Sequence, residues 1–278
     1  MRELPRPFLK WAGGKARLLP ALSSRLPGEF GTYYEPFLGG GALFFHLVAR
    51  RGPQAAVLSD INSDLVDTYL GVRDEVDHVV DCLREHADRH RRDYYYKMRG
   101  EEMEGQGLAP RAARIIYLNR TCYNGLYRQS RSGRFNVPMG RYRNPTICDE
   151  PLLRAASAAL AAVELICAPF HKVARRAVAG DLVYMDPPYI PVSVTASFTS
   201  YHREGFNEED QCQLARLFKE LAAARVHVLL SNSDTEMVHE IYAGLPCDEV
   251  KVARSINSRA SRRGGVGELI FRGGPLFS

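Results

Sequence analysis

Two short apolar stretches joined by a glycine turn and a helix constrain the fold of this chain most tightly. Tyr33-Tyr34-Glu35-Pro36-Phe37 reads as the end of a strand and Gly39-Gly40-Gly41 as the turn after it. Ala42–Arg50 reads as a helix, and Ala55–Ser59 as a second strand closing at Asp60. Such a unit lays its two strands parallel through a right-handed crossover. The same alternation returns later in the chain. Val163–Cys167, Asp181–Met185, Val226–Ser231, Leu245–Val252 and Leu269–Arg272 read as strands, and Glu208–Ala224 and Asp234–Ala243 as helices. Residues 1–66 and 150–278 are therefore expected to share one sheet, an α/β body interrupted by an insert at 67–149. In the insert, Leu65–Arg89, Asp93–Glu104 and Ala109–Asn119 read as helices. Arg128–Phe135 reads as a hairpin turning at Ser132-Gly133.

The net charge of +5 over 278 residues is an average of two unlike parts. Residues 91–145 hold twelve Lys or Arg and four acids, a surplus of +8, whereas the remainder holds 25 basic and 28 acidic residues. Between Glu104 and Asp149 stand eight arginines and no acid. A merely solvated surface mixes signs, so this segment is expected to face a polyanion. No run of 18 apolar residues exists, which excludes a membrane-spanning helix. Met1–Pro5 has no apolar core, so no signal peptide is expected. The six cysteines form no Cys-x-x-Cys, and a reducing, cytoplasmic setting is expected in place of a disulfide framework or zinc ribbon. His86-x-x-x-His90 has helical ligand spacing but no evident third ligand. It reads as a solvated helix face, and no metal is expected.

Three runs carry chemistry. Glu35–Gly41 has glycines that let a ligand approach the backbone, and the helix after it offers free N–H groups. It lacks the Gly-Lys-Ser/Thr ending of a phosphate-binding P-loop. Asp60 lies at the tip of the second strand, placed to accept from ribose hydroxyls or, on its own, to cap a helix. Together the two runs indicate an adenosyl cofactor. The third run, Asp181-Leu182-Val183-Tyr184-Met185-Asp186-Pro187-Pro188-Tyr189, is a buried strand ending in Asp-Pro-Pro-Tyr. Two prolines remove two amide donors and stiffen the turn. A carboxylate, the Pro187 carbonyl and an aromatic ring remain. That trio suits a planar amine: Asp186 and the carbonyl accept its two hydrogens, Tyr189 stacks on its ring, and the nitrogen lone pair stays free to attack.

At this point the chain resembles the Dam-like, D12 class of DNA adenine-N6 methyltransferases, over nearly its whole length and in the family's motif order. Phe8-Leu9-Lys10-Trp11-Ala12-Gly13-Gly14-Lys15 resembles the N-terminal cofactor motif, Glu35–Gly41 the glycine motif, Asp60-Ile61-Asn62 the ribose motif and Asp186–Tyr189 the catalytic motif. Tyr117–Arg120, Tyr123–Leu126 and Phe135–Tyr142 resemble target-recognition elements. Phe198-x-x-Tyr201-His202 and Leu230-Ser231-Asn232-x-Asp234 match as well.

The resemblance implies a Rossmann-like methyltransferase sheet with an inserted, mainly helical target-recognition domain carrying a β-hairpin. It implies methyl transfer from S-adenosyl-L-methionine to N6 of an adenine flipped out of double-stranded DNA. Asp186, Pro187 and Tyr189 would be catalytic. Trp11, Lys15, Glu35, Phe37, Gly39, Gly41, Asp60 and Asp186 would bind the cofactor. Arg120, Tyr123, Asn124, Leu126, Arg128, Pro138 and Arg141 would bind DNA. Arg128 would read a guanine, Leu126 and Pro138 would touch an A·T pair, and Tyr123 and Asn124 would wedge beside the flipped base; the implied target is GATC. Arg131, Arg134 and Arg143 are assigned to phosphates. Thr121-Cys122, Tyr127 and Arg134 depart from the family pattern and bear on flanking-sequence preference. Lys251–Arg263 reads as a basic loop near the DNA or cofactor entrance. A monomer is expected, with or without a cognate restriction endonuclease that it does not physically bind. A cytosine-N4 enzyme more often has Ser in place of Asp186, and a protein-glutamine methyltransferase more often has Asn there. A non-catalytic relict has no reason to keep Asp60 and Asp186.

Overall fold

The computed structural model describes residues 3–11, 13–52, 54–130, 133–189, 206–252 and 266–275. Its centre is a sheet of β1 (Tyr33–Glu35), β2 (Ala56–Asp60), β3 (Val163–Cys167), β4 (Leu182–Met185), β5 (His227–Ser233), β6 (Cys247–Val252) and β7 (Val266–Gly273). The spatial order is β3-β2-β1-β4-β5-β7-β6. The first five strands pair in parallel, and β7 runs antiparallel between β5 and β6. Both faces of β4 and β5 are covered; β4 is an apolar run, and β5 is apolar over residues 228–230 and then turns polar towards the site at Ser231. The chain winds outward from β1 to β3, then returns to place β4 on the other side of β1. That reversal is the topological switch point, where ligands of open α/β sheets bind at the carboxyl ends of the strands. Glu35 ends β1, Asp60 ends β2, and Asp186 directly follows β4.

The helices are α1 (Leu19–Ser23), α2 (Ala42–Arg51), α3 (Ser63–Asp74), α4 (Val76–Asp88), α5 (Arg92–Gly100), α6 (Leu108–Thr121), α7 (Glu150–Leu160), α8 (Phe170–Ala174), α9 (Glu208–Ala223) and α10 (Glu236–Ile241). Where one helix is expected over Leu65–Arg89 there are two, broken at Glu75, whose backbone is non-helical (φ −131°, ψ 35°). The cause is tertiary. The Glu75 carboxylate accepts from the Ala109 N–H at 3.2 Å, supplying the N-terminus of α6 with the cap that Gly107 lacks. Gly71 lets α6 approach α3: a Cβ there would stand 2.7 Å from that of Ala112. Helix α7 has a legible start in Asp149-Glu150-Pro151, with Asp149 accepting from Leu152 N–H at 3.3 Å.

Two apolar cores flank the sheet. One joins Val57, Val183 and Val228 to Leu214 and Phe218 of α9. The other runs from Leu58 and Tyr184 through Phe45 and Tyr69 to Val79, Ile115 and Leu152. Helices of the 67–149 segment thus share a continuous core with the sheet, and α3 crosses residue 66 without interruption. Among the described residues, no helix is long and apolar enough to cross a membrane.

Candidate active site

Four chain segments converge on Asp186. Its Oδ1 accepts from Ser231 Oγ of β5 at 2.9 Å and pairs with Lys15 Nζ at 3.1 Å. Ser231 Oγ also meets the Tyr184 hydroxyl at 2.9 Å. Among the described residues nothing hydrogen-bonds Asp186 Oδ2. Among these residues one oxygen is clamped and the other is open. Burial raises the Asp186 pKa, and Lys15 and Ser231 oppose that shift. Lys15, 5% exposed, also donates to the Tyr189 hydroxyl and lies 3.4 Å from Glu268 Oε2. The Tyr189 hydroxyl in turn donates to Glu268 Oε2 at 2.6 Å. Pro187 is buried, whereas Pro188 is exposed.

The glycine turn lies beside this cluster. Gly39 (φ +46°) and Gly41 (φ +63°) are left-handed, a conformation glycine adopts without strain. Gly41 is the N-cap of α2 and brings no side-chain cap. Trp11 leans on the turn, and a Cβ on Gly39 would come within 2.9 Å of its ring. Asp60 ties the turn to β2, accepting from Gly39 N–H at 3.1 Å and from Asn62 N–H at 3.0 Å. The N-cap of α3 is Asn62, so Asp60 is not spent on capping a helix. Glu35 lies beneath the turn, fully enclosed. It accepts from the Tyr33 hydroxyl at 2.8 Å and from the Phe44 amide. Burial pushes its pKa up to about 8, so the carboxyl holds its proton at neutral pH. Phe37 stacks on Phe170 (centroids 5.2 Å apart) and meets the edge of Phe206 at 5.7 Å.

The segment from Arg120 to Arg143 has another character. Tyr123 is 53% exposed, Asn124 is left-handed at φ 56°, and Pro138 and Arg141 face solvent. Leu126 is half-buried. The hairpin takes the form of two isolated bridges, Gln129 with Phe135 and Cys122 with Met139. Within it Asn136 holds Arg128, whose Nε donates to Asn136 Oδ1 at 2.6 Å. Arg120 is only partly exposed, with a buried Nε that has no partner among the described residues, and burial lowers its pKa. Asn119 clamps the N-terminal segment by accepting from Lys10 N–H at 2.8 Å and donating to Lys10 C=O at 2.7 Å. Tyr127, a departure from the family pattern, points inward. It stacks on Trp11 at 5.0 Å and donates to Asp64 Oδ2 at 2.7 Å.

Comparison with known proteins fits this arrangement. The family model of the D12 class N6 adenine-specific DNA methyltransferases matches residues 11–256. This chain belongs to that family. It is 40% identical over 271 residues to the type II methyltransferase M1.LlaDCHI of Lactococcus lactis subsp. cremoris, covering 95% of this chain and 94% of that protein. It is 38% identical over 283 residues to the type II methyltransferase M.MjaIII of Methanocaldococcus jannaschii, with 96% and 98% covered. It is 40% identical over 268 residues to the DNA adenine methylase of Escherichia coli K12, with 95% and 94% covered. The D12 methyltransferase takes its methyl group from S-adenosyl-L-methionine, and the site has suitable chemistry: a left-handed glycine turn under a lone tryptophan, a helix start without a side-chain cap and a strand-end carboxylate.

Other expectations are corrected. His86 and His90 are not a solvated face. His86 Nδ1 meets the Tyr94 hydroxyl at 2.7 Å and its ring stacks on Tyr117, while His90 Nδ1 meets the Tyr117 hydroxyl at 3.0 Å. Burial pushes the His86 pKa down to about 4. Part of the arginine surplus is spent within the fold: half-buried Arg111 pairs with Asp67, and buried Arg114 donates to the Met98 and Arg99 carbonyls that end α5. Arg134 is exposed and pairs with the equally exposed Glu102, an arrangement that leaves its expected phosphate contact uncontradicted. Glu268 is the residue that sequence reasoning missed, and no motif quoted above includes it. Phe198–His202, Arg131 and residues 253–263 of the basic loop lie outside the described residues.

Proposed function

We propose that this methyltransferase acts on an adenine flipped out of double-stranded DNA, within the sequence GATC. An adenine in a duplex is enclosed by its neighbours, so the chemistry requires extrusion at a cost of a few kcal/mol. The open Oδ2 of Asp186, beside Pro187 and Tyr189, carries this reading. Oδ2 and the Pro187 carbonyl accept the two amine hydrogens, which keeps the N6 lone pair directed outward for attack. Tyr189 stacks on the base. S-adenosyl-L-methionine supplies an electrophilic methyl on a sulfonium. N6 would take the methyl as the carbon–sulfur electron pair stays with sulfur, and Asp186 would carry the surplus N6 proton to solvent. Positioning and electrostatics are the protein's contribution.

Trp11, Lys15, Glu35, Phe37, Gly39, Gly41, Asp60 and Asp186 would hold the cofactor, Glu35 by fixing the start of α2 through the Phe44 amide. The body formed by 1–66 and 150–278 would carry cofactor and chemistry, and 67–149 would carry recognition. Arg128 would form a bidentate pair with guanine, and Leu126 and Pro138 would contact a thymine methyl, pairings that base edges favour. Tyr123 and Asn124 would support the gap, while Arg120 and Arg141 would add contacts to the DNA. We read the protein as a cytoplasmic monomer that binds no restriction endonuclease. The test is transfer of labelled methyl to duplexes that differ only at the target. GATC should be methylated on adenine, and GTTC and GACC should not. Equal labelling of all three would remove the assigned specificity.

A further inference from the structure

Glu268 lies beyond residues 11–256 that the family model matches, yet it closes the ring of polar groups around the catalytic motif. Register brings it there: β7 runs antiparallel to β5, with Glu268 opposite Ser233. Its Oε2 receives the Tyr189 hydroxyl at 2.6 Å and lies 3.4 Å from Lys15 Nζ. The Lys15 ammonium therefore sits between two carboxylates, Asp186 at 3.1 Å and Glu268 at 3.4 Å. All three side chains are largely withdrawn from water, at 5%, 20% and 18% exposure.

That arrangement has two consequences. The Tyr189 ring is attached at one end through rotatable bonds, and a fixed acceptor on its hydroxyl sets the plane it offers to a stacked base. A lone ammonium on Asp186 would also draw down the carboxylate's strength as an acceptor, and a second acid shares that ammonium. We propose that Glu268 is a positioning residue of the methyl-transfer site, fixing the Tyr189 ring and sharing Lys15 with Asp186. The proposal rests on the reading that Asp186 and Tyr189 receive the target adenine.

Among the described residues, the groups facing Asp186 are Lys15, Ser231, Tyr33, Tyr184, Tyr189, Glu35 and Glu268. Of these, Glu268 is a negative charge that raises the Asp186 pKa, so its removal eases ionisation of Asp186. Single-turnover methylation of a GATC duplex over a range of pH tests this. Wild type, E268Q, E268A, Y189F and Y189F/E268Q are compared, with cofactor affinity and melting temperature measured alongside. E268A should slow transfer at least tenfold while cofactor affinity holds. E268Q should lose less, because an amide oxygen still accepts from Tyr189. In both, the acid limb of the rate profile should move to lower pH. The E268Q loss should shrink in the Y189F background. If E268A folds poorly, E268Q decides. Wild-type rates with an unmoved acid limb would overturn the proposal, as would losses fully additive with Y189F. If wild type itself fails to methylate adenine, the underlying reading of the site fails instead.

Discussion

At the carboxyl ends of β1, β2 and β4, the polar side chains are tied to one another. Asp186, Lys15, Tyr189, Glu268 and Ser231 form one connected set, Asp60 fastens the glycine turn, and Glu35 ties β1 to α2. From Tyr123 to Arg143 the ties are fewer: Arg128 is held by Asn136 and Arg134 pairs with Glu102, but other groups stand open. Tyr123, Pro138, Arg141 and Arg143 face solvent, and among the described residues the arginines at 141 and 143 make no ion pair. A site that stabilises a transition state gains from groups fixed before the reaction, because they need no reorganisation when it occurs. A surface that reads DNA gains from donors left open until the bases arrive. Tyr127 joins the two regions, with its ring on Trp11 and its hydroxyl on Asp64.

Asp186→Ala should have the largest effect. Removing the open acceptor should slow methyl transfer roughly 10²–10⁴-fold while thermal melting stays near wild type. Full-rate transfer by this variant would place the chemistry elsewhere. Glu35→Gln probes the same region through stability. The folded protein keeps the Glu35 proton up to about pH 8, whereas the unfolded chain releases it near the ordinary value of 4.5. Between those values the unfolded state binds fewer protons, so stability falls as pH rises, by an amount on the order of a few kcal/mol in total. Denaturant titrations should show that decline in wild type and a flatter curve in E35Q; parallel curves would mean that Glu35 is not held protonated.

Much of the fixed region is legible in sequence because β4, buried on both faces, is a continuous apolar run, and because even the half-buried edge strand β3 keeps apolar residues at most of its positions. Val163–Cys167 is expected and observed with the same limits, and Asp186 follows β4 as expected. What escapes is long-range. Glu268 meets Tyr189 across 79 residues, and no local pattern sets the antiparallel register that joins them. Two further departures are tertiary: Glu75 breaks a helix that its own segment would continue, and buried tyrosines enclose His86. The arginine surplus marks the insert correctly as basic, but composition cannot separate Arg114, spent on carbonyls inside the fold, from Arg141, left in solvent.

Smaller effects belong to the open region. Arg128→Ala should relax base choice at one position and cost about 1–3 kcal/mol there. Binding measured against a panel of single-base variants checks it, and a uniform loss over the panel would reassign Arg128 to phosphate. Tyr127→Phe should be milder. It keeps the stack on Trp11 and removes the bond to Asp64, so melting should report a loss of about 1 kcal/mol with cofactor affinity unchanged. A change in cofactor affinity without a change in melting would instead make the hydroxyl a link between the two regions.

The central claim, that the tied site performs adenine-N6 methylation directed by the open segment, is tested most directly by single-molecule sequencing of DNA from a methylation-free host expressing the protein. The account predicts N6-methyladenine confined to GATC, and none with D186A. N4-methylcytosine, methyladenine scattered without regard to sequence, or full methylation by D186A would contradict it.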